Sequence, residues 1–220
     1  MVAGMALLVV SAGLVGAAVW YWRGPGATAP AGEGREPGAA PLSVKGTVLE
    51  HSEKGRVNWS LAVEEIELSG GGRTVAAKGL KDGLVYDNTG RPVLRLTAAR
   101  ASYNTVRKDF ELTGEVKAVS HKGAVIATEK VQWLPQEQTL RCPGEVTMRA
   151  EDVTITADHL DLLVATEMVR CTDRVRVKMG EDRLTGRDLS YNLNTRDFTL
   201  DGVQAVFAPE TVREKLEELR

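Results

Sequence analysis

A repeat of 29 or 30 residues dominates the second half of this chain. Its four copies begin at Leu96, Ile126, Ile155 and Leu184, at intervals of 30, 29 and 29 residues. Apolar residues recur at matching positions of the copies, in three columns: Tyr103, Trp133, Leu162 and Tyr191; Phe110, Leu140, Val169 and Phe198; Leu112, Cys142, Cys171 and Leu200. A period of this length is typical of stacked units, each of which buries its apolar face only against the next.

Within each copy, apolar and polar residues alternate along two arms. Leu94, Leu96 and Ala98 alternate on the first arm of the first copy, and Phe110 and Leu112 open the second arm. Alternation of period two indicates strands with one buried face. Turn-forming stretches separate the arms at 104–109, 135–138 and 192–197, and a weaker copy with an offset of 35 runs from Leu61 to Gly79. We therefore predict an all-β domain over residues 42–207, in which two sheets of stacked antiparallel strands face each other across an apolar interior.

The inward residues of these strands predict the lining of an apolar groove. They are Leu96, Ala98, Tyr103, Phe110, Leu112, Val116, Ile126, Trp133, Leu140, Val146, Ile155, Val169, Val175, Phe198 and Leu200. Small inward residues, namely Ala98, Ala118, Ala157 and Gly186, would leave room for a ligand beside the larger ones. The alternative is that all of them pack against one another as an ordinary core.

The two ends of the chain predict different attachments. Residues 2–22 carry no charge over 21 positions, enough to cross a bilayer core of about 30 Å as a helix. We predict a membrane anchor at 1–23, with the folded domain outside the cytoplasm, and a flexible Gly-, Pro- and Ala-rich linker at 24–41. At 208–220, the spacing of Thr211 and Glu214 is that of a capping box, and apolar residues follow on one face, which predicts a short amphipathic helix.

Nothing in the sequence points to an enzyme, a cofactor or a metal site. Charges are interspersed, with a net charge of −2, so no basic stripe suggests nucleic acid. His51, His121 and His159 fall at unrelated places in the repeat, and we predict ordinary surface histidines. Acidic residues are scattered, unlike the clustered carboxylates of β-helical enzymes. Cys142 and Cys171 share a column, so they are either a disulfide between neighbouring strands or stacked buried thiols.

The uncharged segment, the linker, the Asn58-Trp59-Ser60-Leu61 opening and the repeated Leu-x-Ala, Tyr-Asn and Phe-x-Leu-x-Gly-x-Val units together resemble the LptC family of lipopolysaccharide export proteins. The resemblance runs from the predicted anchor to about Phe207. It implies a folded-over β-jellyroll, shared with the soluble LptA-like (OstA-like) bridge protein of the periplasm.

The resemblance also implies a role without catalysis, in outer-membrane biogenesis. A single-pass inner-membrane protein would accept lipopolysaccharide from the permease subunits of an ABC transporter into its apolar groove. It would pass the glycolipid to the LptA-like bridge protein by strand pairing at the carboxyl-terminal edge, here Phe198, Leu200, Val203 and Val206. A second hypothesis is a membrane-tethered assembly scaffold, which binds partners by its sheet edges and carries no lipid.

Overall fold

The computed structural model describes residues 9–10, 42–53, 55–68 and 73–206 of the chain. All regular structure in these ranges is β-strand. The strands are β1 Val9–Val10, β2 Leu42–Glu53, β3 Arg56–Leu68, β4 Thr74–Tyr86, β5 Pro92–Asn104, β6 Phe110–Ser120, β7 Val125–Leu134, β8 Thr139–Cys142, β9 Val146–Ala150, β10 Val153–Ala157, β11 His159–Leu163, β12 Met168–Met179, β13 Asp182–Asn192, β14 Phe198–Asp201 and β15 Gln204–Val206. The predicted all-β antiparallel fold is confirmed.

The strands form one continuous meander. From β2 to β7 each strand pairs antiparallel with the next. Beyond β7, several long strands are divided in the middle: β8 and β9 both pair with β7, β10 and β11 both pair with β12, and β14 and β15 both pair with β13. Each repeat copy therefore supplies two long strands, one running out and one running back.

A bend crosses the middle of these long strands and recurs with the repeat. The bend positions form pairs 15 residues apart: Glu64 and Gly79, Ala99 and Gly114, Glu129 and Gly144, Asp158 and Asp173, Arg187 and Gly202. Gly79, Gly114, Asp173 and Gly202 have positive φ angles of 63°, 81°, 60° and 65°. Strand register shifts next to the bend, for example between Thr113 and Val116. Bulges of this kind bend a strand sharply.

The bend folds the sheet over, so that its two halves face each other. Trp59 pairs with Val85 in one half, whereas Tyr103 pairs with Phe110 in the other. The ring of Trp59 nevertheless packs edge-on against Tyr103 and Phe110, with centroids 4.9 Å and 5.2 Å apart. The two predicted layers are thus confirmed in outline, with one correction: they are halves of the same strands, because each strand continues through the bend into the opposite layer.

The predicted attachments lie mostly outside the described residues. Of the predicted anchor, the structure describes Val9–Val10, which pair in parallel with Val48 and Leu49 of β2. The rest of 1–23, the linker 24–41 and the helix predicted at 208–220 fall outside the described ranges. Within those ranges, no helix has the length and apolar character needed to cross a bilayer.

Candidate functional site

The interior between the two layers, which we call the trough, runs the length of the stack. Thirteen of the fifteen predicted lining residues are buried there: Leu96, Ala98, Tyr103, Phe110, Leu112, Val116, Ile126, Trp133, Leu140, Val146, Ile155, Val169 and Val175. The other two, Phe198 and Leu200, are half-buried against the same cluster at its carboxyl-terminal end. These residues form one apolar cluster with others from β3 to β13.

One whole column of the trough escaped the sequence prediction. Ala101, Val131, Leu160 and Leu189 are buried at intervals of 30, 29 and 29 residues, the same spacing as the predicted columns. Trp59, also missed as a lining residue, is completely buried. The repeat contained the signal for this column, and the interruption of alternation at the bend concealed it.

The expectation that the small inward residues leave room for a ligand is partly wrong. A Cβ atom on Gly186 would lie 2.6 Å from Cδ1 of Leu200 and 2.7 Å from the backbone oxygen of Asp201. The space at Gly186 is therefore already filled by β14. Ala98, Ala118 and Ala157 are buried within the packed cluster. Side chains of the two layers are in contact across the trough, as in Trp59 and Phe110.

The amino-terminal end of the trough is aromatic. In addition to its contacts with Tyr103 and Phe110, Trp59 lies 5.8 Å from the ring of His51. Phe110 in turn stacks on Trp133 at 6.0 Å with nearly parallel planes. Edge-to-face and offset contacts of this kind stabilise aromatic clusters beyond their buried area. The prediction that His51 lies at the surface is wrong, because its ring is buried beneath this cluster.

Several polar atoms of the aromatic end make no hydrogen bond with the described part of the chain. They are Nε1 of Trp59, Nε1 of Trp133, the hydroxyl of Tyr103 and Nδ1 of His51. Burial raises the pKa of Tyr103, as does the charge of Asp109, and burial lowers the pKa of His51, as does the charge of Lys108. Both side chains are therefore held neutral. Because a buried polar group without a partner costs about 1–3 kcal/mol, this end suits a ligand that offers polar atoms among apolar surface.

Two clefts open at the rim of the aromatic end, and Trp133 lines both. One, of about 100 Å³, lies among Glu53, Arg56, Asn58, Tyr86, Asp87, Asn88, Trp133 and Gln138. The other, of about 240 Å³, lies among Thr74, Ser102, Asn104, Arg107, Asp109, Phe110, Glu111, Gln132, Trp133 and Leu134. Hydrogen bonds from Thr89 and Arg91 lower the pKa of Asp87 strongly, so this carboxylate stays charged and holds its own turn together. The aromatic interior is thus bordered by polar, partly open surface.

The remainder of the trough is mainly aliphatic and includes both cysteines. Cys142 pairs with Leu160, and Leu160 pairs on its other side with Cys171, so β11 lies between the two thiols. The prediction that the two cysteines lie on neighbouring strands is wrong, because residues one repeat apart are separated by an intervening strand. Two strand spacings amount to about 9.6 Å, beyond the Cα separation of about 4.4–6.8 Å that a disulfide accepts. Both cysteines are free, and burial raises the pKa of each to about 12.

The other two histidines lie at the surface, as predicted. His121 lies 3.8 Å from Glu167, and His159 lies 3.4 Å from Asp173. The two pairs occupy different parts of the stack. Among the described residues, no group of three or more His, Cys, Asp or Glu side chains could hold a metal ion.

The carboxyl-terminal edge of the sheet is formed by β14 and β15. In the described part of the chain these strands pair with β13 alone. Phe198 and Leu200 turn toward the trough, whereas Val203 and Val206 are exposed, by 50% and 69%. The four predicted edge residues therefore divide into two that close the end of the trough and two that offer apolar surface outside it.

A comparison of the fold with solved structures finds the periplasmic protein LptH of Pseudomonas aeruginosa, described as the LptA-homologous component of a lipopolysaccharide transport device. It is 11% identical, the TM-score is 0.47, and the match covers 53% of this chain and 95% of that one. No curated protein matches this chain in sequence.

The family comparison covers almost the whole length of the chain. Residues 8–208 match the sequence model of the family described as lipopolysaccharide-assembly, LptC-related. This range includes all the strands from β2 to β15. The chain therefore belongs to the LptC-related family of lipopolysaccharide-assembly proteins, a non-enzymatic component of lipopolysaccharide transport.

Proposed function

We propose that this protein is an inner-membrane-anchored carrier that holds the acyl chains of lipopolysaccharide in its trough. It accepts the glycolipid from the permease subunits of an ABC transporter and passes it to an LptA-like bridge protein in the periplasm. The observation that carries the proposal is the continuous apolar trough, built from the same columns of residues in every repeat.

The energetics of the trough favour this role. Moving an acyl chain from water to apolar surface gains about 0.8 kcal/mol per CH₂, so a chain can be held without covalent chemistry. The donors of Trp59 and Tyr103 have no hydrogen-bond partner among the described residues, and they lie at the aromatic end, where ester, amide or hydroxyl groups of a lipid can accept or exchange hydrogen bonds. Net movement of lipid needs work from another protein, and the proposed transporter supplies it.

The connectivity of the sheet allows the trough to widen. Backbone hydrogen bonds run between neighbouring strands inside each layer, and the layers touch through side chains such as Trp59 and Phe110. Parting the layers therefore breaks apolar side-chain contacts and leaves the strand ladders intact. Acyl chains that enter between the layers replace those contacts with equivalent ones.

Transfer to the bridge protein uses the edge formed by β14 and β15. An open edge offers backbone donors and acceptors to a strand of another chain. The exposed Val203 and Val206 add apolar contacts beside that ladder. Pairing there continues the stack into the partner, so that the trough of one protein leads into the trough of the next.

A binding assay on the full chain in nanodiscs tests the carrier role. Fluorescent lipopolysaccharide should bind saturably, and Leu112→Asp should abolish this binding because it places a carboxylate in the trough. Lys117→Asp, on the exposed face of the same strand, is the matched control and should bind normally.

Circular dichroism establishes whether each variant is folded. If Leu112→Asp does not fold, Ala118→Leu fills the trough with apolar volume instead and should weaken binding several-fold. Wild-type protein that shows no saturable binding would contradict the carrier role and favour the scaffold hypothesis, in which the edges alone act.

A further inference from the structure

The two long sides of the trough are built differently. On one side, which we call the spine, each strand passes through its bend from one layer to the other. On the opposite side, which we call the mouth, the turns at the ends of the strands approach one another across the gap between the layers. Among the described residues, no backbone ladder crosses the mouth, and side-chain contacts join its two lips.

In the described ranges, three side-chain pairs bridge the mouth, and we call them the latch row. Nε2 of Gln138 donates a hydrogen bond to Oδ1 of Asn88 over 3.2 Å. Nε2 of His121 lies 3.8 Å from Oε1 of Glu167.

The third pair is the shortest. Nη2 of Arg196 lies 2.7 Å from Oε1 of Glu151. In every pair, one residue belongs to a turn of one layer and its partner to a turn of the other.

The latch row follows the repeat. Gln138, Glu167 and Arg196 occupy one repeat position at intervals of 29 residues, and Lys108 precedes them by 30. All four have a positive φ, of 48°, 52°, 67° and 63° respectively. This conformation is uncommon for residues other than glycine, and here it recurs at one position of successive turns. The repeat therefore builds a column of turn residues along one lip of the mouth.

The residues on the opposite lip match this column in chemistry. The amide of Gln138 meets the amide of Asn88, the carboxylate of Glu167 meets a histidine, and the guanidinium of Arg196 meets a carboxylate. Lys108 lies at the same end as His51, whose pKa its positive charge lowers. Although the chemical type changes from copy to copy, the pairing across the mouth is kept.

The contacts of the latch row are weak compared with those of the spine. The side chains of Arg196 and Glu151 are 64% and 58% exposed. An ion pair in such a position contributes about 0–1 kcal/mol. Glu167 is the more enclosed partner of its pair, and its Oε2 is buried without a hydrogen bond to the described residues, so water gains access to it when the mouth parts. The latch row therefore adds little to the cost of opening the mouth, whereas the layers cannot part at the spine, where the backbone runs continuously from one layer into the other.

We propose that the latch row is a gate, and that lipid enters the trough sideways through the mouth when these pairs separate. The proposal rests on the carrier function and specifies its route. Threading several acyl chains from one end would displace packed side chains such as Trp59 and Phe110 in succession. Parting the mouth separates the two layers along their whole length in one movement.

A reversible covalent lock on the mouth tests this gate. In the full chain in nanodiscs, Glu151→Cys and Arg196→Cys are joined by a bis-maleimide with a central disulfide. The bridged protein should take up fluorescent lipopolysaccharide at least ten times more slowly than the same variant capped with two single maleimides. Cleaving the linker with dithiothreitol should restore the rate. Cys142 and Cys171 are buried and should remain unlabelled, which intact mass verifies.

The matched control bridges two exposed neighbours on adjacent strands of one layer, so that the bridge does not cross the gap between the layers. Lys178→Cys and Arg183→Cys lie opposite each other on β12 and β13, so their bridge leaves the mouth free and uptake should be unchanged. Equal uptake by the mouth-bridged and capped proteins would overturn the gate while leaving the carrier role intact. Absence of saturable uptake in every form, including wild type, would overturn the carrier role and the gate with it.

Removing one pair of the latch row should change the rate of lipid uptake in the direction opposite to the covalent bridge. Glu151→Ala combined with Arg196→Ala should speed uptake several-fold, because one of the side-chain pairs that bridge the mouth is lost. Uptake at the wild-type rate in this variant would show that the pair does not control access and would contradict the gate.

Discussion

The spine and the mouth close the same trough by different means. At the spine, bends recur in pairs such as Ala99 and Gly114, and the backbone itself joins the two layers. At the mouth, exposed side-chain pairs such as Arg196 and Glu151 join them. The repeat thus places a fixed hinge on one side and a weak closure on the other. Stability therefore comes from one side of the structure and movement from the other, as the proposed lipid carrier requires.

The largest loss of stability should come from a substitution at the spine. Gly186→Val places a side chain where Cβ would lie within 2.7 Å of Leu200 and the backbone of Asp201, so β14 must shift. Overpacking of this kind costs about 1–3 kcal/mol, and we expect the upper end of that range in urea unfolding. Gly144→Val is the matched control, because nothing lies within 4 Å of its Cβ position. Equal losses of stability in the two variants would show that the close approach at Gly186 is unimportant.

The thiols inside the trough should report how tightly the mouth is closed. Burial raises the pKa of Cys142 and Cys171 to about 12, and the thiolate is the reactive form. Native protein at pH 8 should therefore react with a thiol reagent at least about a hundredfold more slowly than urea-unfolded protein, in which an ordinary thiol pKa is about 8.5. The native protein is the slower of the two to react, because its buried thiols stay protonated even as the pH is raised toward 9. Rapid labelling of native protein would mean that the trough is open to solvent.

A substitution in the aromatic end should have a smaller effect on stability, and of opposite sign to that at Gly186. Tyr103→Phe removes a buried hydroxyl that has no hydrogen-bond partner among the described residues. The free energy of unfolding should stay constant or rise by up to about 1 kcal/mol, because the cost of burying that group disappears. Lipid affinity should fall if the hydroxyl binds a polar atom of the lipid. A clear loss of stability would show that the hydroxyl is satisfied in the free protein.

The smallest effect on stability should be at the mouth. Arg196→Ala should lower the free energy of unfolding by no more than about 0.5 kcal/mol, since the ion pair with Glu151 is exposed. Chemical unfolding of Arg196→Ala and of Gly186→Val under the same conditions compares the stability of the two sides directly. A loss as large as that at Gly186 would mean that the mouth is a structural contact rather than a closure.

The repeat predicts much of the fold and the trough because stacked strands must place equivalent residues at equivalent depths. Period-two alternation, in contrast, fails at the bend. Leu96 and Ala98 point inward, and strict alternation would continue with Arg100. The bulge shifts the phase by one residue, so that Ala101 and Tyr103 point inward instead.

Two other features lay beyond the sequence pattern. The disulfide alternative for the two cysteines treats a period of 29 residues as one strand spacing, whereas the period spans two. The latch row joins turns 45 to 50 residues apart, such as Asn88 and Gln138, and its pairs share no common residue type. Only the folded backbone brings such turns together, so local periodicity could not reveal the closure of the mouth.

Photo-crosslinking in cells tests the central claim, that the trough carries lipid, most directly. A photoreactive amino acid is placed at Phe110 or Leu140, which point into the trough, and at Lys117 or Arg170, which point outward. The inward positions should form covalent adducts with lipopolysaccharide, identified by mass spectrometry, and the outward positions should not. Inward positions that form adducts only with protein, or lipid adducts equally from both faces, would contradict the claim.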